Sequence, residues 1–325
     1  YICLDGGTYN QNCGQQIHHH DTASTDPQNA EDLAFHWVML CVFIGVENLR
    51  IQNLAFRNQR TFTVLIQNFK HVDIENIEIE LPNKMFAQNQ DGLHFWGPGQ
   101  YLTIRNVKGN SGDDFIALAP DEHDYKSTIT DVLIDGIILE DADQAIRMLV
   151  RKDGFLDRVV VKNVIGTYRS FGFFINPWFE NPEGHYGNIT IDTVDLRQKS
   201  PDYTYTTNML FRLGGVIESI TLKNIKYHKP IDNRVLFEIG AARNVIDPVE
   251  EESKNSHIHS LVIDGLQVYE DGQCSGDEDF STVRCPVDHM VVRNVEVLRR
   301  EGMEEDGSFI NVMEGGSIDT LIMNS

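Results

Sequence analysis

The chain has little cysteine, little positive charge and no long apolar segment. It holds 5 cysteines, and its 27 lysines and arginines stand against 49 aspartates and glutamates, for a formal net charge of −22. Nucleic acids and anionic membrane surfaces select basic protein faces, so this balance argues against both as partners. No segment approaches the ~18 consecutive apolar residues that a spanning helix needs. We therefore expect no nucleic-acid partner and no membrane span.

Helical periodicity is also lacking, and a short phrase with strand-like alternation recurs instead. The phrase is VENLRIQNLAF at 46–56, FKHVDIENIEI at 69–79, GQYLTIRNVKG at 99–109 and LDRVVVKNVIG at 156–166. Its pattern is apolar, any, apolar, any, then Asn, Asp or Gly, then apolar, which indicates β-strands. The apolar anchors of successive copies lie about 23–41 residues apart, a spacing typical of repeat architectures.

Each repeat is too short to bury an apolar face alone, so the repeats must stack. A second strand-like segment follows most copies, as in DGLHF, DFIAL, QAIRM and FGFFI. Two or three short strands per repeat without helices predict an all-β parallel β-helix of about ten rungs, with rungs ~4.8 Å apart. No linker composition interrupts the chain. We expect one domain over 1–325, with 1–33 as an irregular N-terminal cap and 34–325 as stacked rungs.

The asparagine of the phrase is expected to lie at one bend in each rung. We interpret the resulting column as an amide ladder that satisfies backbone groups at the turn, with a structural role. Its members are Asn53, Asn76, Asn106, Asn163, Asn224 and Asn294.

The cysteines are compatible with an oxidising compartment. Cys41 lies in an apolar run and is expected in the core. Cys274 and Cys285 flank a short acidic loop that a disulfide would close, and Cys3 and Cys13 offer the same possibility at the other end.

The chain begins without Met, and we expect a secreted or periplasmic protein whose leader lies outside the visible sequence. The His18–His20 run is compatible with metal binding, but a polar loop is the expected explanation. The acidic runs between the repeats are expected to be solvated loops.

The second strands predict a map of the outer surface. If their alternate apolar residues point inward, the residues between them point outward in one column. That column contains His94, Ala117, Arg147, Phe174, Arg212 and Glu238. At the upstream ends of the same strands, Asp91, Asp114 and Gln144 share another column, and Asp113 and Asp143 precede its last two members.

Asp91 and Asp114 are thus expected about one rung apart, with Asp113 beside them. Like charges at short range raise each other's pKa. One carboxyl group can then stay protonated as an acid while another remains a base, as glycosidic bond cleavage requires. A bend at Gly112 would let Asp113 and Asp114 both reach the surface. The alternative is that these aspartates only hold turns.

These motifs resemble the polygalacturonase-like glycoside hydrolases of family 28, which are right-handed parallel β-helices. That family has Asn-Thr-Asp-Gly followed about twenty residues later by Gly-Asp-Asp. This chain has Asn89-Gln90-Asp91-Gly92 and, with 22 positions between the first aspartates, Gly112-Asp113-Asp114. The resemblance covers roughly 34–165 in motif detail. It implies that Asp113 is the general acid, that Asp91 and Asp114 activate the water, and that the anomeric carbon is inverted.

The resemblance has two departures. The family's Gly-His-Gly motif is absent, and its Arg-Ile-Lys motif has only a partial counterpart, with Arg147 present and Leu149 in place of the lysine. Those lost groups normally help to bind a uronic acid carboxylate. Arg147 is implied as a substrate contact, and the expected substrate is a pectin-like or otherwise acidic or decorated polysaccharide.

Further polar and aromatic side chains are expected to line the substrate cleft, because carbohydrate sites combine carboxylates with aromatic faces and planar donors. Each has a plainer alternative: a surface histidine, an ordinary ion pair, or a tryptophan that covers a core. The expected substrate-binding residues are His94, Arg147, Asp143, Trp178, Arg212 and Glu238.

The sequence leaves three functions open. A glycoside hydrolase leads, with no cofactor and no metal, and with a polysaccharide or oligosaccharide as its partner. A polysaccharide lyase would need a basic proton acceptor, for which the arginines are candidates. A glycan-binding, tailspike-like β-helix would need no catalytic group, and its aspartates would only hold turns. The oligomeric state is left open.

Overall fold

The computed structural model describes residues 1–15, 38–81, 89–124, 126–177, 185–199, 209–228, 236–240, 256–270, 280–299 and 308–324. Nearly all elements in these ranges are β-strands, and one 3-10 helix lies at Cys13–Gln15. No helix in the described part of the chain is long and apolar enough to cross a membrane.

The strands are β1 (Ile2–Asp5), β2 (Thr8–Asn10), β3 (Cys41–Arg57), β4 (Val64–Glu80), β5 (Leu93–Asn110), β6 (Asp114–Ala119), β7 (Thr128–Asp141), β8 (Gln144–Met148), β9 (Phe155–Tyr168), β10 (Phe171–Ile175), β11 (His185–Gln198), β12 (Met209–Leu213), β13 (Val216–His228), β14 (Phe237–Ile239), β15 (His257–Glu270), β16 (Ser281–Val283), β17 (Pro286–Arg299), β18 (Asn311–Val312) and β19 (Ser317–Asn324).

The strands pair in parallel, each with the strand one rung away. The long strands stack in the order β3, β4, β5, β7, β9, β11, β13, β15, β17 and β19. The short strands β6, β8, β10, β12, β14, β16 and β18 form a second stack that continues from the start of β5. The predicted all-β parallel β-helix is confirmed, and its roughly 8–9 rungs are near the predicted ten.

The core follows from the repeated phrase. The apolar anchors of the phrase pair with one another from strand to strand, and each is at most 2% exposed. Since each anchor lies above the previous one, the apolar faces of neighbouring rungs form a single continuous core. The anchors are Leu49, Val72, Leu102, Val132, Val159, Ile189, Ile220, Leu261 and Met290.

The asparagine column exists, and the side chains of its first three members bond to one another. Asn53, Asn76 and Asn106 have φ values of 56°, 56° and 52°, in the left-handed region that favours Gly and Asn. Asn76 Nδ2 donates to Asn53 Oδ1 at 3.0 Å, and Asn106 Nδ2 donates to Asn76 Oδ1 at 3.2 Å. The next rung has Gly136 in this column, with φ of 80°. The ladder is therefore side chain to side chain, whereas the sequence predicted bonds to the backbone.

Further along the column, the amide partner becomes a carboxylate. Asn163, Asn224 and Asn294 each donate from Nδ2 to an aspartate one rung before, at 2.7, 2.8 and 2.7 Å; the acceptors are Asp135, Asp192 and Asp264.

The two ends of the described chain differ from simple expectation. In the segment expected to be an irregular cap, β1 and β2 already pair with β3, and residues 16–37 lie outside the described ranges. No disulfide joins Cys3 to Cys13, because Cys3 is exposed as a free thiol while Cys13 is buried. Cys41 packs against the core but is only partly buried. The suggested partner of Cys285, Cys274, lies outside the described residues.

The ladder predicts an order of stability for substitutions of Asn106. Asn106→Ala keeps a Cβ at positive φ and removes the amide, so we expect a loss of about 1–2 kcal/mol of unfolding free energy. Asn106→Gly also removes the amide but accepts this φ, as Gly136 does, so its loss should be smaller. Urea denaturation followed by circular dichroism measures both, and equal losses would show that the backbone conformation is not the controlling factor.

Candidate active site

The outward column of the second strands is confirmed in its full predicted length. His94 pairs with Ala117, Ala117 with Arg147, and Arg147 with Phe174, after which come Arg212 and Glu238. The intervening residues, such as Leu93 and Phe95, are fully buried in the core. The alternation of the pleat therefore places one continuous line of side chains on the outer face of these strands.

The predicted acidic groups gather at the upstream end of this face. Asp91 precedes β5, Asp114 begins β6, and Asp114 pairs with Gln144 on β8. Gly92 N donates to Asp114 O at 2.9 Å, which joins the two acidic segments directly. A Cβ at Gly92 would lie 2.4 Å from the Phe115 carbonyl oxygen, so only glycine permits this approach.

Burial dominates the electrostatics of the cluster. Asp91, Asp114 and Asp143 are 2%, 9% and 1% exposed, whereas Asp113 is half-buried. Desolvation raises the pKa of Asp91 to about 7, and desolvation followed by the charge of Asp113 raises the pKa of Asp143 to about 7. The pKa of Asp113 is raised by desolvation as well. The group therefore retains protons at a pH at which an isolated aspartate would be ionised.

Asp114 is the least compensated of these acids. Its pKa lies well above the ordinary value because of desolvation first and the charges of Asp113 and Asp91 second. Its Oδ1 atom is buried and has no hydrogen-bond partner among the described residues. A carboxylate in that position would be costly, so the proton is held most firmly here.

Asp113 is oriented by the backbone around it. Its Oδ2 atom accepts from Asn89 N at 2.6 Å, and its own N–H donates to Gln90 O at 3.3 Å. The buried Arg169 donates from Nη2 to Gly112 O at 2.6 Å and from Nη1 to Asp141 Oδ1 at 3.0 Å. Arg169 thus fixes the bend before Asp113.

His94 lies between the aspartate cluster and the carboxylate of Glu122. Its Nδ1 lies 2.6 Å from Asp91 Oδ2, and its Nε2 lies 2.8 Å from Glu122 Oε2. Burial alone would lower the pKa of His94, but Glu122 and Asp91 outweigh it and raise the pKa to about 10. Burial opposes ionisation of Glu122, yet the histidine keeps the Glu122 pKa below its usual value. We conclude that His94 is an imidazolium at neutral pH, held between Asp91 and the Glu122 carboxylate.

Aromatic rings pack around His94 and Glu122. Phe62 stacks on His94 with ring centroids 4.2 Å apart, and Trp96 Nε1 donates to Glu122 Oε2 at 2.7 Å. Trp96 also stacks on His123 at 5.6 Å. Aromatic neighbours exclude water from the ion pairs and so strengthen them.

The predicted basic residues lie in the outward column but are deeply buried. Arg147 lies with its Cζ 3.8 Å above the ring of Phe174 and donates from Nη1 to Phe174 O at 2.9 Å. Arg212 Nη2 lies 3.7 Å from Glu238 Oε1. Asp143 accepts from Ser170 Oγ at 2.5 Å.

Sequence reasoning did not identify all members of the site. Glu122 lies in an acidic turn after β6 that has no periodicity, and Phe62 precedes β4 outside any motif. Their positions depend on chain turns, which the repeat pattern does not specify. Trp178, which was expected in the cleft, lies outside the described residues.

The fold and this cluster define a class: parallel β-helix proteins with a carboxylate-based site on the outer face of one strand stack. Within that class, residues 11–147 match the family model of glycosyl hydrolases family 28, which confirms the resemblance predicted from the motifs. The matched segment contains every member of the aspartate cluster and ends at Arg147. The match supports glycoside hydrolase activity in general terms. Searches of curated proteins and of solved structures found no match to this chain.

The uncompensated burial of Asp114 predicts a pH-dependent cost in stability. A raised native pKa means that the folded state binds more protons than the unfolded state between about pH 4, the ordinary value, and the native pKa. Stability should therefore fall as pH rises through that window. Asp114→Asn cannot ionise, so its thermal midpoint should exceed that of the wild type by ~2 °C or more at pH 7 and converge with it near pH 4.

Thermal unfolding from pH 4 to 8 tests this expectation, with Asp73→Asn as the control because Asp73 is exposed on β4. If Asp114→Asn is less stable than the wild type at pH 7, the carboxylate of Asp114 has a favourable partner in the native state.

Proposed function

We propose that the protein is a glycoside hydrolase that cleaves a pectin-like or otherwise acidic polysaccharide by an inverting acid–base mechanism. One observation carries the proposal: Asp91, Asp113 and Asp114 lie together on adjacent rungs, and each has a pKa above the ordinary value for aspartate. Hydrolysis with inversion needs one protonated and one ionised carboxyl group around the scissile bond. The family match, which includes all three residues, agrees with this assignment.

Asp113 is the proposed general acid. It is the most accessible member of the trio, and a backbone N–H orients its carboxyl group. In the reaction it transfers its proton to the glycosidic oxygen while the bond from that oxygen to the anomeric carbon breaks. A water molecule attacks the anomeric carbon from the opposite face, and its proton passes to the base.

Asp91 is the proposed base, because His94 compensates its charge. The imidazolium donates from Nδ1 to Asp91 Oδ2 at 2.6 Å, which opposes the effect of burial on the Asp91 pKa. Asp114, which lacks such a partner, shares the positioning of the water and keeps its own proton more firmly. The two roles therefore follow from unequal compensation of neighbouring carboxyl groups.

The column beyond the acids supports the proposed substrate class. Arg147 and Arg212 are the guanidinium groups of this column, and guanidinium groups recognise carboxylates in a planar, bidentate manner. Acidic polysaccharides of plant or algal walls carry such carboxylates, and an enzyme that meets them is secreted or periplasmic. We assign Arg147 and Arg212 to substrate binding on this basis. Asp143 and Glu238 are proposed as further substrate contacts, since carboxylates accept hydrogen bonds from sugar hydroxyls.

The first test is the activity of Asp113→Asn on pectic, algal and host polysaccharides. Loss of the general acid should lower kcat by about 10²–10⁴-fold, because proton transfer to the leaving group is lost. New reducing ends measure hydrolysis, and ultraviolet absorbance of an unsaturated product measures elimination. Asp73→Asn is the matched control, since its carboxyl group lies on the exposed face of β4.

The outcomes separate the possible functions. Reducing ends without absorbance, lost in Asp113→Asn and kept in Asp73→Asn, support the hydrolase. Absorbance by the wild type would assign the chain to the lyases instead. Binding of a polysaccharide that neither protein cleaves, unchanged by Asp113→Asn, would favour a glycan-binding scaffold.

A second test addresses His94 through the pH profile. His94→Gln removes the positive charge beside Asp91, so the Asp91 pKa should rise and the acidic limb of kcat/KM should move to higher pH. Glu122→Gln removes a negative charge that raises the Asp91 pKa but also weakens the support for the His94 imidazolium, so its limb should move less than that of His94→Gln. If the acidic limb of His94→Gln does not move to higher pH, Asp91 is not the group that it reports.

A further inference from the structure

A second polar cluster lies far from the acidic site, on the outer face of the last long strands. His257 and His259 are two positions apart on β15 and therefore share one face of that strand. Asp288 lies on the neighbouring β17, with His257 Nε2 at 2.6 Å from its Oδ1 and His259 Nδ1 at 2.7 Å from its Oδ2. One carboxylate thus holds two imidazoles in place across a rung.

The geometry of the cluster is that of a set of metal ligands. The three donor atoms lie within 4.8 Å of one another, and among the described residues this is the one group of three or more His, Cys, Asp or Glu that meets this condition. Tetrahedral Zn²⁺ with bonds of ~2.1 Å has its donor atoms ~3.4 Å apart. The side chains are 36%, 39% and 32% exposed, so small rotations can bring them to that separation.

The strand register surrounds the cluster with further acidic groups. Ile217 pairs with Ile258 and Val287 with Ile318, so Glu218 and Asp319 lie in the same outward column as His259 and Asp288. Both are exposed. This column supplies additional oxygen donors one rung to either side, spaced by the ~4.8 Å between strands.

We propose that His257, His259 and Asp288 bind a divalent first-row transition metal ion, with Zn²⁺ as the natural occupant. Imidazole nitrogens suit Zn²⁺, Cu²⁺ and Ni²⁺, whereas Ca²⁺ and Mg²⁺ prefer sites made of oxygen alone. Three protein ligands leave one position for water or an external ligand. This site was not expected from the sequence, which predicted no metal site.

The bound ion would act as a clamp between rungs. Its ligands come from β15 and β17, which otherwise join through backbone pairing and the core. An ion that binds only the folded arrangement stabilises it in proportion to its concentration over the dissociation constant. The effect should therefore appear in thermal unfolding and is independent of glycoside hydrolysis.

A second histidine–carboxylate pair provides a matched control. His228 Nε2 lies 2.8 Å from Asp195 Oδ1, and the His228 ring stacks on Tyr269 at 4.9 Å. This pair has the same histidine–carboxylate contact on neighbouring rungs but no second imidazole on its carboxylate. His228→Gln should therefore leave metal binding unchanged.

The test uses the tag-free full chain with His18, His19 and His20 replaced by Gln, which removes any contribution of that run. Equilibrium dialysis against Zn²⁺ should give one ion per chain, and Co²⁺ should give visible absorption typical of few-coordinate nitrogen and oxygen ligands. His259→Gln and, separately, Asp288→Asn should each weaken binding at least ~10-fold and remove the rise of the thermal midpoint with Zn²⁺.

Either of two results overturns the proposal. One is the absence of Zn²⁺ binding by the parent chain at micromolar concentrations. The other is binding that both single variants and the double variant retain. Circular dichroism without metal establishes that each variant is folded. If a variant fails to fold, the measurement of Zn²⁺ binding by the parent chain can still refute the proposal.

Discussion

The constraint on which the structure depends is the in-register stacking of parallel strands, one rung above the next. Backbone pairing fixes the separation of rungs, and the repeated anchors, from Leu49 to Met290, keep the phase constant. A residue type at one phase therefore recurs as a column. The core, the asparagine ladder and the outward line of His94, Arg147 and Arg212 are three such columns in the same stack of rungs.

The stacking of rungs also explains the raised pKa values of the acidic cluster. Placing aspartates at one phase of adjacent rungs brings like charges together, and the neighbouring side chains remove water from them. Both effects raise carboxyl pKa values. The buried carboxyl groups therefore cost free energy, and the surrounding core holds them in place.

Counter-charges distinguish the three acids. Asp91 has the imidazolium of His94, Asp113 has a backbone donor, and Asp114 has no partner for one buried oxygen. Glu122 maintains the imidazolium from its other side. The same combination of histidine and carboxylate at His257, His259 and Asp288 is partly exposed and has two imidazoles, so there it suits a metal ion rather than proton transfer.

The sequence by itself determined the fold class, the core columns and the phase of Asp91, Asp113, Asp114 and Arg147, because all of these follow from periodicity and short-range motifs. Only the tertiary structure decided how the charges are compensated. Glu122, Arg169 and Phe62 reach the site through turns and from other rungs, and no local pattern specifies those contacts. The metal-ligand cluster was missed for the same reason: His259 and Asp288 belong to repeats whose facing positions become neighbours only when the strands pair in register.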